Sequence, residues 1–379
     1  MIRRIFGGDK VIAAPVISQN EQGLINMADV PALLTDWYDG QGRDLPWRVK
    51  GKKKANPYRV WLSEIMLQQT TVNAVIPYFN EFTTRWPTVE KLAVAPEEDV
   101  LAAWAGLGYY TRAHNLRKCA KVIVSDFGGQ FPDDEEILLT LPGVGPYTAA
   151  AIAAIAFGRS ATPMDGNFER VIARLFAVET MLPAAKKELK ALAETLTPEV
   201  RPGDYAQAMM DLGATVCTPK RPSCLICPLE AHCAGQMRGI ADRLPTRAVK
   251  AERPVRRGIA FLALREDGQV LLRKRPQSGL LSGMMEVPST AWDDDWIAGD
   301  EAMREVPVKG DWWPVPGTVI HTFTHFKLEL LVYRAVVPVN SSLNLWAEPN
   351  SCRWVKREEL EAQALPSVMR KILAHGLSE

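Results

Sequence analysis

Four cysteines crowd into one short segment of this chain: Cys217, Cys224, Cys227 and Cys233, spaced Cys-x6-Cys-x2-Cys-x5-Cys. Thiols so near one another in sequence converge when the segment folds as a single loop around one metal centre. Zinc sites more often use two Cys-x2-4-Cys knuckles joined by a longer arm. One knuckle with unequal outer spacings suits a four-iron cubane better, with zinc and unrelated thiols as the alternatives. Cys119 and Cys352 lie apart and read as buried structural thiols. Six cysteines in 379 residues do not make a disulfide scaffold. Four of them bunched together point to metal in a reducing, cytoplasmic setting.

The rest of the chain has the composition of a globular protein, 47% hydrophobic and 23% charged, with length for two or three domains. No run of ~18 apolar residues occurs, so no membrane span is expected. Residues 1–27 read as a disordered extension, Met27 being an alternative start. Arg3 and Arg4 mimic a secretory leader, but Asp9, Lys10, Pro15 and Gln19 break its apolar stretch. The formal charge is only +1, yet nine Lys/Arg face three Asp/Glu between Cys217 and Arg257. Such a stretch is either a footprint for phosphate or a solvated linker.

Residues 28–237 read as all-α. Trp61, Ile65, Val72, Val75, Ile76, Phe79 and Phe82 recur at three- and four-residue steps, with Pro77 inside the pattern. Helices are expected again over Asp133–Thr140, Thr148–Phe157, Asn167–Phe176 and Lys186–Leu196. Residues 238–256 are basic, carry Pro245 and Pro254, lack periodicity, and read as a linker. Residues 257–379 are α+β. Strands are expected at Gly258–Arg265, Val270–Arg275, Gly317–His325 and Lys327–Val337, and one or two helices between Val355 and Leu373.

Three further features carry chemistry. Leu141-Pro142-Gly143-Val144-Gly145 makes a tight turn ahead of an alanine-rich helix. Its backbone N–H groups, with the positive end of that helix, form an anion site suited to a nucleic-acid phosphate. Asp165, before Gly166-Asn167, is either a helix cap or a carboxylate aimed at a developing positive charge. Glu64 lies between apolar residues of a helix; if buried, it would hold a proton near neutral pH.

In this order, the Ser63–Thr70 segment, the glycine hairpin, Asp165-Gly166-Asn167 and the cysteine spacing resemble the helix-hairpin-helix DNA glycosylase superfamily. The closer resemblance is to its adenine glycosylase (MutY) family. Leu45-Pro46-Trp47-Arg48, Gly106-Leu107-Gly108-Tyr109-Tyr110 and Gln207–Gly213 add to the likeness, which runs from about Val30 into the C-terminal domain.

The resemblance implies a multidomain fold: an all-α helix-hairpin-helix glycosylase domain with an iron–sulfur loop, followed by an α+β Nudix-like domain. It implies a monofunctional base excision repair enzyme. Such an enzyme flips adenine out of a duplex, where it faces 8-oxoguanine or guanine, and hydrolyses its N-glycosidic bond. Glu64 would then be the general acid. Asp165 would stabilise the oxocarbenium-like sugar or bond to it transiently, and Tyr147 and Asn167 would support that intermediate. Gln69 and Tyr109 would wedge into the base stack, and Gly143 and Gly145 would grip phosphate. Lys220 and Arg221, on the loop after Cys217, would lie near the DNA backbone, and the four cysteines would hold one 4Fe-4S cluster.

Bifunctional endonuclease III relatives carry a lysine where this chain has Tyr147, and a phenol forms no Schiff base. Some family members have a lysine where this chain has Glu169. The C-terminal domain resembles the one that reads 8-oxoguanine, with Phe323-Thr324-His325 matching a Phe-Ser-His motif; Thr324 adds a methyl. The Nudix metal box is missing: Gly283 can open it, but Arg304-Glu305 falls at the wrong distance and no paired glutamates follow. The resemblance also implies a cytoplasmic monomer, nucleoid-associated in a bacterium, acting on double-stranded DNA. The competing readings are a glycosylase/lyase, an inert DNA-binding cluster sensor and a Nudix hydrolase.

Overall fold

The computed structural model describes residues 27–378 apart from 50–53, 249–251, 277, 298, 345–346 and 348. The expected extension lies outside the described residues up to Asn26, and Met27 opens a short turn leading into the first helix.

The first part is helical: α1 (Val30–Gln41), α2 (Pro57–Leu67), α3 (Val72–Arg85), α4 (Val89–Val94), α5 (Glu97–Trp104), α6 (Thr111–Phe127), α7 (Glu135–Leu139), α8 (Pro146–Phe157), α9 (Gly166–Leu175), α10 (Lys186–Leu196), α11 (Pro202–Thr215) and α12 (Ala234–Met237). Asn56 starts α2 by accepting the Arg59 N–H, with Pro57 at the first helical position, where its missing N–H costs nothing. The apolar run from Pro57 to Trp86 does break, but at Gln68–Thr71 rather than at Pro77, which rides within α3.

Two apolar cores result. One gathers Trp61, Phe79, Phe82, Trp104, Leu116 and Ile152 from α2, α3, α5, α6 and α8. The other gathers Leu34, Phe168, Ile172, Leu189, Tyr205 and Leu212 from α1, α9, α10 and α11. Burying each of these side chains contributes about 1.5–3 kcal/mol before entropy is charged against it.

The second part is a six-stranded sheet of β1 (Val255–Arg265), β2 (Val270–Lys274), β3 (Met285–Glu286), β4 (Trp313–Thr322), β5 (Lys327–Val337) and β6 (Cys352–Val355). The order is β3-β2-β1-β5-β4, with β6 also pairing β2; β1 and β5 run parallel and the other pairs antiparallel. β1 is buried from Gly258 to Leu264, as a central strand covered on both faces must be. Two helices complete this part, α13 (Gly299–Ala302) and α14 (Ser367–Leu377); α14 lays Val368, Met369, Ile372 and Leu373 on the sheet.

Three expectations shift here. The strand expected over Gly317–His325 ends at Thr322, because the Phe323 N–H bonds the Phe326 carbonyl and closes a turn into β5. The stretch expected as a linker from residue 238 is packed against the helices as far as Arg247. Ile240, Ala241 and Leu244 are buried, and the Leu182 N–H bonds the Thr246 carbonyl. Its apolar residues are too few to show a period, yet each fills a gap. β1 opens at Val255, ahead of the expected boundary.

The two parts meet closely. Met284 and Ala364 from the sheet side belong to the same buried cluster as Trp104 and Leu116. His114 Nε2 lies 2.9 Å from the Ser282 carbonyl, and Lys274 donates to Glu98 at 2.7 Å.

Candidate active site and DNA-facing surface

Glu64 sits mid-way along α2 and is only 4% exposed, among Ser63, Ile65 and Met66, all buried. Burial pushes its carboxyl up to about 7; a hydrogen bond from Tyr147 and the Arg48 charge oppose the rise, and Asp165 adds to it. Tyr147, in the first turn of α8, donates its hydroxyl to Glu64 Oε2 at 2.7 Å. Burial first, and then the Glu64 charge, push the Tyr147 hydroxyl well above the usual phenol range.

Asp165 is the N-cap of α9. Its Oδ1 accepts the N–H groups of Asn167 and Phe168 at 2.9 and 2.8 Å, and its Oδ2 accepts the Asn167 side-chain amide at 2.8 Å. The cap reading therefore holds, and three donors fix where the carboxylate points. Burial still raises its pKa against those bonds.

Asn167 is held in turn. Its Oδ1 accepts from Arg170 Nη2 at 2.7 Å, and Arg170 also donates to the carbonyls of Gly213 and Cys217. Arg174, one turn later, donates to Cys217 Sγ at 3.2 Å. One helix thus runs from the capped carboxylate to the cysteine loop.

Sequence reasoning missed the wall opposite. A cavity beside Glu64 is lined by Trp47, Arg48, Ser63, Leu67, Gln207 and Met210. Arg48 is fixed there by Asp211, a fully buried carboxylate that takes two bonds from Arg48, at 2.6 and 2.8 Å, and one from Arg43 Nε at 2.7 Å. Burial opposes its ionisation, yet Arg48 and then Arg43 hold Asp211 below the usual carboxylate range. The words Leu45–Arg48 and Gln207–Gly213 were visible in the sequence; that one ion pair joins them was not.

In the hairpin, Gly143 has φ +78°, and a Cβ there would meet Asn115 Cβ at 2.7 Å, so only glycine fits. Gly145 caps α8. Gln69 and Tyr109 are exposed, and both occupy the left-handed region, at φ +59° and +50°. The Tyr109 hydroxyl lies 2.8 Å from Thr324 Oγ1, at the tip of the β4–β5 hairpin. Phe323 turns inward, stacking on Phe326 with centroids 4.8 Å apart, and leaves Thr324 and His325 exposed. Lys220 and Arg221 are exposed as well.

Residues 62–199 match the HhH-GPD superfamily of base excision DNA repair proteins, and residues 259–375 match the NUDIX domain family. The chain is 35% identical to the human adenine DNA glycosylase over 92% of its length and 74% of that protein's. It is 30% identical to the adenine DNA glycosylase of Buchnera aphidicola (strain Bp), over 90% of this chain and 94% of that one. The chain belongs to the adenine DNA glycosylase family. It is a base excision repair enzyme that acts on adenine mispairs in DNA and hydrolyses N-glycosyl bonds. Its helical part is also similar to a solved thermostable thymine-DNA glycosylase, with a TM-score of 0.51 and 31% identity over 56% of this chain and 97% of that one.

In this adenine glycosylase the four cysteines line one cavity together with Arg174 and Pro222. Cys217, Cys227 and Cys233 pack against the second helical core. Burial, followed by the neighbouring thiols, pushes Cys227 up to about 12. Among the described residues, no three His, Cys, Asp or Glu side chains close tightly enough on one point to hold a single metal ion. Nor, among them, is any helix long and apolar enough to cross a membrane.

Proposed function

We propose that this glycosylase removes adenine paired with 8-oxoguanine, or with guanine, in double-stranded DNA, and that Glu64 is its general acid. The observation that carries the proposal is the burial of Glu64 beside a cavity. A carboxyl held near 7 is still substantially protonated at neutral pH and can give its proton up to a leaving base. The proton goes to adenine N7, and the C–N bond breaks with its electron pair leaving on the base. Water adds at C1′ and returns a proton to the Glu64 carboxylate.

Asp165, aimed by its cap bonds, offsets the positive charge on the sugar or bonds to it briefly. Tyr147 orients Glu64 and Asn167 orients Asp165. Tyr147 cannot form a Schiff base, so the product is an intact strand with an abasic site. Glu169, in the other lysine position, is paired with Lys186 at 3.4 Å.

On the opposite strand, Gln69 and Tyr109 wedge into the stack, and Phe323, Thr324 and His325 read the oxidised base. Phe323 acts from beneath as a buttress, and the Thr324 hydroxyl replaces the expected serine at the exposed tip. Gly143 and Gly145, with the first turn of α8, take a phosphate. Lys220 and Arg221 add salt-sensitive contacts to the backbone.

Cys217, Cys224, Cys227 and Cys233 would hold one 4Fe-4S cluster. Zinc needs all four sulfurs about 2.3 Å from one point, whereas a cubane gives each thiolate its own iron. Four cysteines line one cavity, and their unequal spacing along the chain suits the second arrangement. When bound, the cluster supplies a rigid cross-link that holds the Lys220–Arg221 loop. We assign base removal to the helical part, through Arg247, and lesion reading to the sheet part that opens at Val255, in a single cytoplasmic chain.

The test is single-turnover base release from an 8-oxoguanine:adenine duplex, with and without alkali. Breaks are expected only after alkali, and Glu64→Gln is expected to bind the duplex without releasing adenine. Normal release by Glu64→Gln would overturn the mechanism, and nicking without alkali would restore the lyase reading.

A further inference from the structure

Two exposed residues of the glycosylase, Gln69 and Tyr109, hold a backbone conformation that side chains with a Cβ avoid, and they lie on different loops. Such residues persist only where their surroundings fix the flanking peptide groups. The surroundings here share one side chain. Arg112, in the first turn of α6, is buried and makes six hydrogen bonds. Its Nη1 donates to the carbonyls of Ile65, Met66 and Gln68 at 3.0, 2.7 and 2.6 Å. Its Nη2 donates to Thr70 Oγ1 at 3.0 Å and to the carbonyls of Leu107 and Gly108 at 3.2 and 3.0 Å.

The carbonyls of Gln68 and Gly108 belong to the peptide groups immediately before Gln69 and Tyr109. The orientation of each such group is what φ of the following residue measures. One guanidinium therefore clamps both left-handed turns at once, and it also lies 5.5 Å from the Tyr109 ring centroid. Its bonds to Ile65 and Met66 cap the end of α2, the helix that carries Glu64.

We propose that Arg112 is a positioning residue that sets Gln69 and Tyr109 as a pair and ties their placement to the end of the Glu64 helix, so that recognition of the opposite base depends on it. This rests on the reading of Gln69 and Tyr109 as wedges. A planar fork with donors on both arms can span two loops; an ammonium on a single point cannot. Arg112→Lys thus keeps the charge and loses the clamp.

The experiment measures affinity for a duplex carrying a non-cleavable adenine analogue opposite 8-oxoguanine, and the saturated single-turnover rate against pH on the cleavable duplex. Arg112→Lys, Gln69→Ala, Tyr109→Ala and the pairwise double variants are compared, each first shown folded by its melting temperature. Arg112→Lys is expected to lose tenfold or more in affinity, with the pH midpoint of the saturated rate unmoved. Adding Gln69→Ala or Tyr109→Ala to it should cost much less than either costs alone.

Full additivity, or an Arg112→Lys affinity within twofold of the unsubstituted protein, would overturn the proposal. So would a shifted pH midpoint, which would place the effect at Glu64. If Gln69→Ala and Tyr109→Ala themselves bind normally, it is the wedge reading that fails, and the two failures are told apart.

Discussion

The Tyr147 hydroxyl and Oε2 of Glu64 lie 2.7 Å apart, with the phenol donating. That bond favours the ionised carboxylate, while burial favours the acid, and burial prevails, with Glu64 near 7. An acid must be protonated to act. The saturated single-turnover rate is therefore expected to be flat below about 7 and to fall tenfold per pH unit above it. Tyr147→Phe removes an influence that lowers the pKa, so the falling limb should move to higher pH. A limb that stays put in Tyr147→Phe would show that another group donates the proton.

The same burial costs stability. The folded chain holds a proton on Glu64 between 4.5 and about 7 that the unfolded chain has released. Stability therefore declines as pH rises through that window, and the penalty is complete above it. Glu64→Gln cannot ionise and is expected to be more stable at pH 8 by about 1–3 kcal/mol, with no difference near pH 4.5. Urea titrations at the two pH values check this.

Asp211, which water does not reach, pairs with the buried Arg48 and the partly exposed Arg43. Its pKa is depressed by those partners, so its contribution is present at neutral pH and is lost only as pH falls through the acid range. Asp211→Ala leaves the Arg48 guanidinium buried without its partner and is expected to destabilise the fold by about 3 kcal/mol. Activity should fall with it, since Arg48 lines the cavity beside Glu64. Denaturation and base release on one preparation test both.

Thr324 tests lesion reading with little change of shape. Thr324→Val keeps the branch and removes the hydroxyl that faces Tyr109. One lost hydrogen bond of about 1 kcal/mol gives roughly a fivefold fall in affinity for adenine opposite 8-oxoguanine. Affinity for adenine opposite guanine should change less. Equal losses on both duplexes would mean that Thr324 does not read the oxidised base.

Cys224→Ser is expected to lose iron, the visible absorption of the cluster and salt-sensitive DNA binding together, with a lower melting temperature. Full iron content with normal binding would remove the cluster from the grip on DNA.

Parts of this fold can be read along the chain and parts cannot. Lys186–Leu196 is α10 to the residue, because its amphipathic period decides its boundaries locally. β3 and β6, of two and four residues, are too short to show a period, and both exist because β2 offers an edge. Glu64 stands out in the sequence only as a carboxylate among apolar neighbours. What raises its pKa is burial by distant segments, and its partner Tyr147 lies 83 positions away. Arg48 and Asp211 are 163 positions apart, and nothing local marks either as half of a pair. Asp165 is the reverse case: its cap motif is local and legible, and the cap bonds aim the charge.

Met284 belongs to the sheet by sequence and to the helices by contact. It stoppers the larger helical core, so the halves of this enzyme are not detachable modules. On the proposed reading of the C-terminal part, a chain shortened after the last cysteine would be blind to the oxidised base, and it would also carry an open oily socket, prone to clump. For such a truncation, failing to find the damage and failing to stay dispersed would be one event.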